Sequence, residues 1–391
     1  MKEYDVCIIG SGFCGSVLAN SLNLLGLNIV VLEKNSKENF LKTDNRNLVL
    51  SYGSGLILKN LGYSFGKHYN LEKIEYSLKG SFGSFFIDAK QYNVPFLGKV
   101  INAGEWLTNS YYQNCLFDSV VDNLELCIGK SKVDFRHQGV KKSIYAKIII
   151  GADGVNSLVR SYLSANKKDV LEGYHAYIIP VVEMLDRFAW LRSDKDKSLA
   201  YIPSSNSEGV LILTTMLDLK QDQLATICKN LAGHRIKKSS MLAATSFRHS
   251  FTSFLSEINN LNAVCIGNAL HALPPVAAQG FNLGIRDCAV LIELLGLALI
   301  KKDFSINEVA QRFYQARKED ITSTYNLSKR ALTVGAKGLT FLPSLAFGCL
   351  NSGLDFVLRD NIYKLLGLVK PYNMFLEQDI FTFKKEISND R

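Results

Sequence analysis

Apolar positions along this chain fall into three patterns. The first is a short solid run that leads into helical spacing. DVCIIG (Asp5–Gly10) reads as a strand buried on both faces, SVLANSLNLLG as an amphipathic helix closed by Gly26, and NIVVLEK (Asn28–Lys34) as a second strand. Together they predict a βαβ unit at the N-terminus. Two further solid runs, AKIIIG ending at Gly151 and AVCIG ending at Gly267, predict more strands of the same buried kind. The second pattern is alternation. It occupies 64–100 and 171–256, where AWLRSDKDKSLAYIP and EGVLILTT read as strands around turns. The third is a long helical run from Asn282, with the helix expected to begin near Phe281 to Leu283. Another helix follows, opened by a capping box of Ser305 and Glu308, and further helices are expected from about 322 onward.

Composition narrows this picture. With 391 residues, 47% of them hydrophobic and 21% charged, the chain is globular, of two or three domains, and neither disordered nor a coiled coil. The net charge of +9 is spread over isolated pairs such as Lys141-Lys142 and Lys237-Lys238. That spread describes a solvated surface rather than a nucleic-acid stripe, and leaves a weak attraction to anionic membranes. The two uncharged segments that approach spanning length, 258–285 and 338–354, are broken by Asn, Gly and Pro, so no transmembrane helix is expected. The eight cysteines lie mostly inside apolar runs, with no Cys-x-x-Cys pair and no His cluster, which predicts reduced thiols and no metal site. The chain enters a strand at once without a signal-peptide pattern, so a cytoplasmic location is expected.

Gly10, Gly12 and Gly15 match G-x-G-x-x-G between a strand and a helix, where the pattern has mechanical meaning. The first glycine permits the turn, the second lets a pyrophosphate approach the backbone, and the third lets helix and strand pack closely. Glu33 ends the second strand, 23 positions after Gly10, near the spacing of about 20 at which a carboxylate meets ribose hydroxyls. These features predict dinucleotide binding.

Asp44-x-Arg46, Asp153-Gly154 after the AKIIIG strand, and Gly267-Asn268 after AVCIG follow in order. With the glycine motif, this series resembles the class A flavoprotein monooxygenases, FAD-dependent aromatic hydroxylases. Within that family DNRNLVLSYGSGLILKNLG, IEYSLKGSFG, FLGKVI, ADGVNSLVR, PPVAAQGFNLGIRD and FYQARKEDI look most like the ubiquinone-biosynthesis hydroxylases. The resemblance implies an α/β fold like that of p-hydroxybenzoate hydroxylase: a discontinuous Rossmann-type FAD domain (1–63, 101–170 and 257–321), a β-sheet substrate domain (64–100 and 171–256) and a C-terminal helical region (322–391). It implies FAD, with NAD(P)H as co-substrate, held by Gly10, Gly12, Gly15, Glu33, Lys34, Arg46, Gln113, Asp153, Gly154, Arg160, Gly267, Asn268, Gly280 and Asn282. Arg46 would lie along the flavin, Asp153 would orient Arg160 and nearby backbone, and Asn268, where the family usually has Asp, keeps an acceptor oxygen.

The loop from Gly267 then reads as a wall beside the flavin ring. Pro274 and Pro275 fix the backbone, Ala277, Ala278 and Gly280 let it lie close to a flat ring, and the helix beyond aims its N–H groups at the flavin's N1–C2=O edge. Pro274, Pro275, Gln279 and Gly280 form the implied catalytic set. The family usually has Gly-Gln-Gly where this chain has Ala278-Gln279-Gly280, so either φ at Ala278 is negative or the loop has shifted. His271, near this loop, is expected to be structural. The implied reaction is oxygen transfer from a flavin C4a-hydroperoxide to the ring of a polyprenyl phenol, with O₂ consumed. Other ubiquinone-biosynthesis proteins and a peripheral membrane contact through the Leu- and Phe-rich segment 339–370 are the implied partners, and no nucleic acid. A flavin halogenase is disfavoured because Trp106 and Trp190 sit in no W-x-W-x-I-P motif. An FAD-binding scaffold with little turnover is the alternative from another class.

Overall fold

A computed structural model describes residues 1–42, 46–81, 83–163, 168–184, 186–236, 241–242, 244–253, 262–273, 275, 278–333, 362, 366–368 and 374–389. In chain order the elements are β1 (Lys2–Ile9), α1 (Phe13–Leu24), β2 (Ile29–Leu32), α2 (Lys37–Leu41), β3 (Asn47–Ser51), α3 (Tyr52–Asn60), β4 (His68–Leu71), β5 (Lys73–Leu78), β6 (Phe85–Asp88), β7 (Gly98–Asn102) and α4 (Ala103–Ser110). Next come β8 (Ser119–Glu125), β9 (Ser131–His137), β10 (Val140–Gly151), α5 (Leu158–Tyr162), β11 (Lys168–Val181), β12 (Ala189–Asp194), β13 (Lys197–Pro203), β14 (Gly209–Thr215) and α6 (Gln221–Ala232). The chain ends with β15 (Thr245–Ser253), β16 (Ala263–Cys265), β17 (His271–Ala272), α7 (Gln279–Gly296), α8 (Val309–Thr333) and α9 (Ile380–Asn389).

The solid apolar runs meet in one sheet. Its order is β2-β1-β10-β9-β8, with β16 also paired to β10, and β1 is parallel to both β2 and β10. Val6, Cys7 and Ile8 are fully buried because parallel strands of this kind are covered on both faces. They share one core with Val17, Leu18 and Leu22 of α1 and with Leu283, Ile285, Leu291, Ile292 and Leu295 of α7. Burial pushes the Cys7 and Cys265 thiols up to about 12. Both therefore act as small apolar side chains. No helix among the described residues is long and apolar enough to cross a membrane.

The alternating stretches build an eight-stranded sheet, β17-β15-β11-β14-β13-β12-β5-β6, which is antiparallel except where β12 meets β5. Successive side chains on a strand point to opposite faces. Tyr177, Ile179, Leu199, Tyr201, Leu211 and Leu213 accordingly pack against Leu224, Cys228 and Leu231 of α6. Their neighbours Ile178, Ile202, Val210 and Ile212 face the other way, toward the cavity bordered by the β1-containing sheet. A small antiparallel sheet, β3-β7-β4, joins the two regions.

One expected boundary is corrected, and two expected domain divisions fall within elements. α7 starts at Gln279, before the expected Phe281 to Leu283, because Ala278 takes a left-handed conformation and acts as its N-cap. The expected division at 321/322 falls inside α8, whose buried face continues through Arg317, Ile321, Thr324, Tyr325 and Ser328. The division at 100/101 falls inside β7, whose pairing with β3 runs unbroken through it. The capping box holds: Ser305 N–H donates to Glu308 Oε1 at 3.1 Å, and Ser305 Oγ accepts from Asn307 N–H. Most of the segment 339–370, the expected lipid-facing region, lies outside the described residues.

Candidate active site

A cavity of about 330 Å³ lies where the β1-containing sheet, the small sheet and the eight-stranded sheet converge. Gly12, Gly154, Gly267 and Asn268 line it from the first sheet. Arg46 and β3 residues 47–49 form a second wall, and the start of α7 with Pro275, Ala278, Gly280 and Phe281 a third. The fourth is the aliphatic face of Ile178, Ile202, Val210 and Ile212.

The glycine loop is built as its spacing requires. A Cβ on Gly10 (φ +97°) would lie 2.5 Å from the Ala152 carbonyl oxygen, and one on Gly15 would lie 2.0 Å from that of Gly10. Neither position admits a side chain. Gly12 is different, since a Cβ there would meet nothing within 4 Å. It borders the cavity at the N-terminus of α1, so its missing side chain leaves room for a group approaching the helix's N–H groups. Glu33 is buried at the end of β2. Its Oε2 accepts from Ser11 N–H at 2.9 Å, and its Oε1 accepts from the backbone and side-chain amides of Asn35 at 3.0 and 2.8 Å. The carboxylate thus ties the loop to β2. Lys34 is exposed directly after it, and Gln113 is exposed on the turn before Leu116, a segment hydrogen-bonded to β2 through Val31 and Glu33.

Two of the later motifs are tied together. Asp153 Oδ2 accepts from Leu158 N–H at 2.7 Å at the start of α5, while its buried Oδ1 has no hydrogen-bond partner. Arg160 donates to the carbonyls of Ala269 at 2.8 Å and Val155 at 2.5 Å, joining the Asp153-Gly154 turn to the Gly267 loop. Asn268 is exposed and lines the cavity. Asp44 and Pro274 lie outside the described residues.

Ala278 has φ +50° and ψ +31°. The expected negative φ is corrected, because the alanine adopts the left-handed geometry that a glycine would take. For a residue with a Cβ this costs roughly 1–2 kcal/mol. The brace is Asn282, which is 1% exposed. Its Nδ2 donates to the carbonyls of Ala278 (2.9 Å) and Val49 (2.8 Å), and its Oδ1 accepts from Ser51 N–H (2.8 Å). Asn282 therefore fastens the start of α7 to β3, two walls of the cavity. Gln279, also buried, is the first residue of α7, and Gly280 follows on the cavity side.

One cluster was not anticipated. His271 Nε2 donates to Asp287 Oδ2 (2.7 Å), Gly267 N–H donates to the same oxygen (3.0 Å), and Arg317 Nε donates to Oδ1 (2.7 Å). Asp320 joins Arg317 to Arg286. Burial raises the carboxyl of Asp287, but the charges of His271 and Arg317 outweigh it and hold it below the usual carboxylate range. No sequence signal marks this set, whose members run from Gly267 to Asp320 and meet only when α7 and α8 pack.

The donor set fits FAD. Gly12 opens onto a helix N-terminus, Asp153 presents a free carboxylate oxygen, Arg46 offers a cation, and Asn268 an amide, all within or beside one cavity. Residues 129–303 match the profile of an FAD binding domain. The chain is 25% identical to 3-demethoxyubiquinol 3-hydroxylase of Escherichia coli over 74% of its own length and 79% of that protein. It is 29% identical to kynurenine 3-monooxygenase of Cytophaga hutchinsonii over 46% of its length and 45% of that protein. Among solved structures, p-nitrophenol 4-monooxygenase of Pseudomonas putida superimposes with a TM-score of 0.77 at 15% identity, covering 95% of this chain and 100% of that one.

Proposed function

We propose that this chain, an FAD-dependent monooxygenase with NAD(P)H as co-substrate, hydroxylates the aromatic ring of a polyprenyl phenol intermediate of ubiquinone biosynthesis. When bound, FAD supplies the redox chemistry: one ring C–H becomes C–OH, the second oxygen atom of O₂ leaves as water, and NAD(P)H is oxidised. The protein's part is placement and exclusion of water. Gly12 would leave room for the pyrophosphate at the N-terminus of α1, in the turn that Gly10 and Gly15 permit, the N-terminus of α7 would offer its N–H groups to the flavin, and Arg46 would offset anionic charge.

The observation that carries the substrate assignment is the wall of Ile178, Ile202, Val210 and Ile212. Four branched aliphatic side chains from three strands offer a prenylated ring a dry surface. The 25% identity to 3-demethoxyubiquinol 3-hydroxylase supports the same reading. Ala278 does not argue for an inactive scaffold, because it keeps the left-handed backbone that a glycine would take. Removing the protein from its host and analysing quinone intermediates by mass spectrometry tests the assignment. A prenylated precursor lacking one hydroxyl should accumulate, and an unchanged quinone profile would exclude it.

A polyprenyl tail is insoluble, since each buried CH₂ is worth ~0.8 kcal/mol. The substrate is therefore collected from a membrane or a lipid-carrying partner, and the +9 charge favours an anionic surface. Sedimentation with anionic liposomes should occur at low ionic strength and decline as salt rises. Its absence at low salt would leave only a carrier.

A further inference from the structure

Asn268 is the polar side chain that the Gly267–His271 segment presents to the cavity, and both ends of that segment end on a single atom. Gly267 N–H and His271 Nε2 donate to the same Asp287 oxygen, at 3.0 and 2.7 Å. We propose that Asp287 is a positioning residue for the cofactor, holding Asn268 in place by clamping the backbone before it and the imidazole after it.

The arrangement suits this role. His271 and Asp287 are fully buried and Arg317 is 4% exposed. Water therefore does not compete for the carboxylate, and charge-assisted bonds are at their strongest. The second carboxylate oxygen belongs to Arg317, so the clamp is fixed from α8 as well as from α7. Arg317 is in turn held by Asp320, which also takes Arg286 Nε at 2.7 Å. Gly267 itself is at φ +55°, with Cys14 Sγ 2.9 Å from where its Cβ would stand, so the loop backbone lies close against α1 at the point the clamp holds. Asp320 belongs to the same buried network but has no contact with the loop among the hydrogen bonds described. It can therefore separate positioning of the loop from general support of the fold.

The inference rests on FAD binding and is independent of the identity of the phenol, so its test reads the cofactor rather than turnover. FAD affinity and the visible absorption spectrum of the bound flavin are measured for Asp287→Asn, Asn268→Ala, the double variant and Asp320→Asn, with circular dichroism to confirm folding. Asp287→Asn should weaken FAD binding by about tenfold, the scale of a lost hydrogen bond to a charged group, and shift the flavin spectrum. The double variant should lose little beyond Asp287→Asn alone, because both act through the same contact. Asp320→Asn should lower thermal stability while leaving the spectrum unchanged. Should Asp287→Asn fail to fold, His271→Asn removes one tether and should show a smaller loss that is again non-additive with Asn268→Ala. Wild-type affinity and spectrum in a folded Asp287 or His271 variant would overturn the proposal. So would an equal FAD loss in Asp320→Asn, or strict additivity with Asn268→Ala.

Discussion

At the scale of single residues, the site combines positions that sequence spacing identifies with positions that only packing explains. Gly10 and Gly15 were legible because a strand, a turn and a helix at fixed spacing leave no room for a Cβ, and the clearances of 2.5 and 2.0 Å bear this out. Ala278 was legible as an anomaly, but its outcome was not, since a left-handed alanine depends on the bond from Asn282, which a one-dimensional pattern does not show. Replacing Ala278 by Gly removes the steric cost of a positive φ and adds unfolded-state entropy, two opposing terms of roughly 1 kcal/mol each. Thermal stability of Ala278→Gly should therefore lie within about 1 kcal/mol of the parent, with FAD affinity within a few fold. A large rise in substrate-coupled oxygen uptake would show instead that the methyl had been restraining turnover.

At the scale of elements, strict alternation along β11, β13 and β14 divides structure from chemistry. Leu213 is fully buried against α6, whereas Ile212 beside it faces the cavity. Leu213→Ala should cost roughly 2–5 kcal/mol of stability, the usual range for a core truncation. Ile212→Ala should cost less and raise KM for an apolar phenol, as denaturant unfolding and steady-state kinetics would show. Equal stability losses with no change in KM would place Ile212 in the core rather than in the substrate wall. The strands themselves were legible from their period. Which face met α6 was not, because both faces are apolar and only the third dimension tells them apart. The start of α7 was missed for a related reason: a non-glycine N-cap at positive φ has no propensity signature.

At the scale of the whole molecule, buried charge links the last helices to the cofactor loop. Burial raises the Asp320 carboxyl, but Arg286 and Arg317 outweigh that and hold it well below the usual range. Asp287 is depressed in the same way. A carboxylate whose pKa is lower folded than unfolded adds stability that is fully present above the unfolded value of about 3.9 and is lost as pH falls through the folded one. Unfolding free energy should thus decline as pH drops below about 4, and Asp320→Asn should flatten that decline. A pH profile identical in the variant would remove Asp320 from the acid limb.

The central claim is that FAD on this chain delivers one atom of O₂ to the ring of a prenylated phenol. Protein loaded with FAD, supplied with NAD(P)H, a short-chain prenyl phenol and isotopically heavy O₂, should yield a product carrying one heavy oxygen on the ring, with NAD(P)H consumption stimulated by the phenol. Phenol recovered unlabelled, with NAD(P)H oxidation unaffected by its presence, would contradict the account.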